Sequence, residues 1–165
     1  MTWSTVSDEH DESAGNGELG SGTVDVDIIL REVDLAAFKA RHLGRGYEER
    51  AAGTGKLVDT EYDVRVDVLG AGRFPGDGRP KPIASSDPAT TAIRGSSLAL
   101  LPLPRFLELE LASGMSAPHR LHDLAHVLDL VRSAGLSLEL AEKLHPWMRD
   151  KYRELSSAAQ GEDPY

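Results

Sequence analysis

The chain has no cysteine, so neither a disulfide framework nor a thiolate metal site can organise it. It also lacks any run of about 18 or more apolar residues, and it does not open on a basic-then-apolar segment. Both absences point away from a membrane span or a secretory leader and make a cytoplasmic protein the expectation. Aromatic residues make up only 5% of the chain, and no basic stripe carries them at the spacing a nucleic-acid surface needs. The first 30 residues contain no Lys or Arg but hold Asp8, Glu9, Asp11, Glu12, Glu18, Asp25 and Asp27, so much of the net charge of -9 sits there. Such an acidic start opposes strong nucleic-acid binding, which depends on neutralising phosphates.

At 165 residues, 40% of them hydrophobic, the chain is long enough for one domain with a buried core. Residues 1–22 are rich in Ser, Gly, Asp and Glu without hydrophobic periodicity and read as a self-repelling disordered tail. Residues 23–158 read as a single domain, with an α/β core over 23–103 and a helical part over 104–158. Residues 159–165 read as a second tail.

The most informative stretch is Val24-Asp25-Val26-Asp27-Ile28-Ile29-Leu30, with Val66-Asp67-Val68 downstream. In a strand, residues two apart share a face, so Asp25 and Asp27 project together, away from Val24, Val26 and Ile28. Two acids in an apolar strand need pairing, hydrogen bonds or a cation. A third acid on a neighbouring strand, Asp67, would complete a hard-oxygen cluster suited to Mg²⁺ and substrate phosphates. The alternative is an Asp25 that ends a loop and an Asp27 at a solvated strand edge.

After Leu30 the pattern predicts a helix over Glu32–His42 closed by Gly44 and Gly46, a strand over Tyr62–Leu69, and a loop over Gly70–Pro88. A short strand at Leu98–Pro102 follows, then a helix from Pro104 to Ala112 that stops at Gly114. The next helix, Pro118–Ser133, is expected to bury Leu121, Leu124, Ala125, Leu128 and Val131 on one face, and Gly135 to end it. Helical stretches over Leu138–Leu144 and Pro146–Ala158 close the chain, the last partly burying Trp147, Met148, Tyr152 and Leu155. The expected fold class is α+β: a small mixed β-sheet core, then a helical carboxyl-terminal half.

Two glycine-rich segments are turns rather than phosphate loops. Gly53-Thr54-Gly55-Lys56-Leu57 lacks the first P-loop glycine and has Leu where Ser or Thr would meet Mg²⁺, while Gly70-Ala71-Gly72 runs into Pro75 where a helix should open. The loop that follows carries Arg73, Arg79 and Lys81. It could close over a phosphate through Arg73 and Lys81, although a solvated loop is the simpler reading. His122-Asp123-Leu124-Ala125-His126, with His119 nearby, superficially matches a zinc-hydrolase helix. An Asp stands where the Glu base belongs and no third ligand is evident, so an ordinary polar face fits better.

Taken in order, Thr23-Val24-Asp25-Val26-Asp27-Ile28, Val64-Arg65-Val66-Asp67-Val68-Leu69, Leu101 to Leu109, Leu111-Ala112-Ser113-Gly114 and Arg120-Leu121-His122-Asp123-Leu124 resemble the bacterial minimal nucleotidyltransferases of the polymerase-beta-like superfamily. That group includes the toxins of abortive-infection toxin–antitoxin systems, and the similarity spans about residues 23–155. The resemblance implies Mg²⁺- or Mn²⁺-dependent transfer of a nucleotide from a nucleoside triphosphate to a hydroxyl of RNA, protein or a small molecule, with an antitoxin as a further partner. By matching position it implies Asp25, Asp27 and Asp67 as metal ligands, and Asp67 also as base for the attacking hydroxyl. The family's Gly-Ser pair opens a helix well ahead of the aspartates. Here Gly20-Ser21 lies too close to Asp25 for a helix to intervene. This implies a late-starting chain or a member without its phosphate cradle, and hence, as the alternative function, a silent relative serving as a binding module. The family's Leu-Lys-Leu-Ala and Asp-Leu-Ala-Asp are here Leu109-Glu110-Leu111-Ala112 and Asp123-Leu124-Ala125-His126. Glu110 and His126 are therefore expected to face each other as a polarity-reversed pair.

Overall fold

The computed structural model describes residues 25–95 and 99–161. The acidic segment 1–22, Gly20-Ser21, Val24 and Leu98 lie outside the described residues. The fold is α+β, a four-stranded mixed sheet followed by helices.

Strand β1 (Asp25–Leu30) leads into helix α1 (Glu32–His42). Glu32 and Asp34 in the first turn of α1, and Lys39, Arg41 and His42 in its last, complement the helix dipole. Gly44 and Gly46, both with positive φ, then turn the chain into β2 (Tyr47–Ala51). Strand β3 (Lys56–Asp59) returns antiparallel, and β4 (Val64–Gly70) pairs antiparallel with β3 and parallel with β1, in the order β1-β4-β3-β2.

The β2–β3 hairpin departs from the sequence reading, which found only its glycine turn. Tyr47-Glu48-Glu49-Arg50-Ala51 lacks the alternation of a half-buried strand because β2 lies at the sheet edge and has one neighbour to satisfy. The strand expected from Tyr62 begins at Val64. Asp63 adopts a left-handed φ of 53° and Asp59 Oδ1 accepts from the backbone of Glu61 and Tyr62, so those residues form a turn.

Register sorts the sheet into two faces. Val26, Ile28, Leu57, Val66, Val68, Tyr47 and Glu49 share one, and α1 lies against it through Phe38 on Tyr47 and the Lys39–Glu49 ion pair. Asp25, Asp27, Arg65, Asp67 and Lys56 share the other.

Residues 71–87 form an irregular loop, as expected, tied to itself by Gly72 N–H to Ser85 O and Ser85 N–H to Arg73 O, both 2.8 Å. A single helical turn, α2 (Pro88–Thr91), and the two-residue strands β5 (Ile93–Arg94) and β6 (Ala99–Leu100) lead to α3 (Leu103–Gly114). A 3₁₀ turn (Pro118–Arg120), α4 (Leu121–Ser133), a 3₁₀ segment (Leu138–Lys143) and α5 (Pro146–Gln160) complete the chain.

The main core belongs to these helices: Leu107, Leu111 and Ala112 of α3, Val127 and Val131 of α4, then Ala141, Leu144, Met148 and Tyr152, with Ile83 contributed by the loop. Burying each large apolar side chain contributes roughly 1.5–3 kcal/mol. The stripe expected on α4 is rotated. Leu121 is 60% exposed and Ala125 is exposed, whereas Val127 is fully buried and Leu130 packs against the core beside Leu124 and Val131. Asp123, on this buried side, displaces the stripe that leucines alone suggest.

Candidate functional site

Parallel pairing of β1 with β4 sets Asp27 directly opposite Asp67 and Asp25 opposite Arg65. The three aspartates therefore share one face, as the strand period requires. Asp25 Oδ1 stands 3.9 Å from Arg65 Nε, and Asp67 Oδ2 accepts from Lys56 Nζ at 2.7 Å, delivered by the antiparallel register of β3. Asp27 retains a solvent-accessible edge, yet partial burial, with Asp67 and then Asp25 adding like charge, raises its carboxyl above the usual range. Lys56 and His126 oppose that rise. Sequence reasoning missed Lys56, because its place beside Asp67 depends on a hairpin that its polar strand conceals.

The helical half supplies a second group. His126 Nδ1 of α4 lies 3.4 Å from Glu110 Oε2 of α3, so the reversed pair expected from sequence is present. Asp123 joins them, and ligand atoms of Glu110, Asp123 and His126 all lie within 4.8 Å of one another. Among the described residues this is the one His/Asp/Glu group gathered so tightly; Asp25, Asp27 and Asp67 share a face without clustering to that degree. Burial and the Asp123 carboxylate push Glu110 up to about 7, against the lowering effect of His126, and Asp27 adds a smaller upward push. The helix group and the strand acids are thus electrostatic neighbours.

The basic loop residues are placed otherwise. Lys81 is nearly buried and its ammonium donates to Asp77 Oδ1 and Pro75 O, both at 2.6 Å, so it braces the loop from within. Arg73 faces solvent, 3.9 Å from Glu32. Among the described residues neither makes an ion pair with Asp25, Asp27 or Asp67.

The donor set fits a hard divalent cation at Asp27 and Asp67, since Mg²⁺ is commonly held by one or two carboxylates together with substrate phosphates. Burial first, and then the like charge of Asp67 and Asp25, raise the Asp27 carboxyl, and a cation bound there would offset both. Fold and site together define an α+β protein with paired acids on the open face of a small mixed sheet and a mixed carboxylate–imidazole group on the helices beside it. No protein-family model matches the chain, and no curated protein or solved structure matches it either.

Proposed function

We infer that the protein is nucleotidyltransferase-like and moves a nucleotide from a nucleoside triphosphate to a hydroxyl acceptor. The observation that carries this reading is the side-by-side register of Asp27 and Asp67, with Asp25 on the same face. In the reaction the acceptor oxygen bonds to the α-phosphorus, the bond to the pyrophosphate leaving group breaks, and the acceptor's proton passes to a base, the role this reading gives to Asp67. Mg²⁺ or Mn²⁺ held by Asp27 and Asp67, flanked by Asp25, would orient the triphosphate and stabilise charge on it. Lys56 donates to Asp67 from the same face and would hold its carboxylate there.

The Lys56–Asp67 ion pair also favours a second reading, a silent relative whose third acid is neutralised internally and which acts as a binding module. Incubation with labelled nucleoside triphosphates, Mg²⁺ and cell extract separates the two. Label transfer abolished by Asp27→Ala or Asp67→Ala is the expected result, and no transfer with any of the four nucleotides leaves the binding module. No helix among the described residues is long and apolar enough to cross a membrane.

A further inference from the structure

We propose that Glu110, Asp123 and His126 form a zinc site of their own on the α3–α4 helix pair, separate from the strand aspartates. Three residues from two helices offer one imidazole nitrogen and two carboxylate oxygens within 4.8 Å of one another. Imidazole with carboxylate is a borderline donor set that suits Zn²⁺ better than the all-oxygen preference of Mg²⁺. Three protein ligands leave one tetrahedral position for water or a substrate atom.

The second observation is independent of the cluster's composition. Asp123 has a side chain only 5% exposed, yet its Oδ2 accepts no hydrogen bond, and the buried Oε2 of Glu110 has only the long 3.4 Å contact with His126 Nδ1 of the same group. Arg120 Nε lies 3.0 Å from that Oδ2, but its Nε and Nη2 both donate to Ser113 Oγ, at 3.0 and 2.8 Å. The guanidinium supplies charge nearby without an aligned donor. Buried carboxylate oxygens in this state carry a desolvation penalty that a coordinated cation removes.

The surroundings match what a metal site requires of its second layer. His122 Nε2 contacts the other Asp123 oxygen, Oδ1, at 2.8 Å and so restrains the carboxylate's rotation. The two helices are closely packed, with Gly114 of α3 seated directly on Leu124 of α4. The site is thus held on rigid elements rather than on a loop. His126 has a side chain 63% exposed, which gives an ion a way in from solvent. Its ring also stands 5.9 Å from that of His122, so a second imidazole is near at hand.

The site goes beyond nucleotidyl transfer, and it stands or falls without it. Zn²⁺ titrated calorimetrically into the chelator-treated full chain, with Mg²⁺ in excess to occupy the strand acids, provides the test. The expected result is one Zn²⁺ per chain, with affinity falling at least ~100-fold in Glu110→Gln and in His126→Ala, since even outer-layer changes cost about 10–100-fold. Asp67→Asn should leave that binding unchanged. His126 imidazole resonances should shift on addition of Zn²⁺ to the native chain. Absence of Zn²⁺ binding, binding indifferent to Glu110→Gln and His126→Ala, or binding lost equally in Asp67→Asn would each overturn the proposal. Glu110 and His126 are chosen because they are less buried than Asp123, so their loss leaves the core intact; unchanged circular dichroism verifies this for each variant.

Discussion

Among the described residues, Glu110 carries the clearest pH signature. With its carboxyl at about 7 in the fold against 4.5 ordinarily, the metal-free native state keeps a proton that the unfolded chain has already released. Stability from this group is therefore fully present below about 4.5, declines as pH rises toward 7, and levels off above. Melting temperatures measured across that window with chelator present should fall for the native chain, and Glu110→Gln should flatten the difference. Tyr152 offers a second residue-scale expectation. Its ring is fully buried and its hydroxyl donates to Ser137 O at 3.0 Å, so Tyr152→Phe should cost about 1 kcal/mol, read from the urea midpoint.

At the scale of elements, α3 and α4 meet closely at Gly114. A Cβ there would lie 2.6 Å from Leu124 Cγ, 2.7 Å from its Cδ2 and 3.0 Å from its backbone nitrogen. Gly114→Ala should push α3 from α4 and destabilise by roughly 1–3 kcal/mol despite its better helix propensity, visible in chemical denaturation. Sequence reading saw this glycine only as a helix stop. It found α1 at its observed bounds because the apolar residues Val33, Leu35, Ala36, Phe38 and Ala40 and the closing Gly44 and Gly46 delimit the same stretch. It missed β2 and β3, since an edge strand such as Tyr47–Ala51 needs no apolar alternation and is marked by its hairpin pairing with β3 rather than by its own pattern. The Glu110–His126 pair was legible because both residues reverse the charge found at the matching positions of the two motifs that the helices resemble. Asp123 as a buried member was not, because burial of an acid depends on how α4 is rotated and the leucines suggest a different rotation. For the same reason Lys81 looked available for phosphate, whereas the loop folds its ammonium onto Asp77 and Pro75.

Across the whole molecule the apolar interior is unequally shared. The helical half assembles a contiguous core from α3, α4 and the carboxyl-terminal segments, while Ile29 and Leu57 are the fully buried apolar residues of the described sheet strands. Opening free energies should follow that division. Hydrogen exchange should show slow amides in α3, α4 and α5 and faster ones in β2 and α1, where no residue is buried. Equal protection in both halves would contradict the division. The pairing of β1 with β4 has a kinetic consequence as well. In the unfolded chain Asp27 and Asp67 are separated by all of α1, β2 and β3, so their mutual repulsion arises only as the two strands close. That closing step meets a charge barrier that dissolved ions screen. Refolding should therefore quicken with moderate salt in the native chain and respond less in Asp67→Asn, which makes the acid pair a rate-setting feature of assembly.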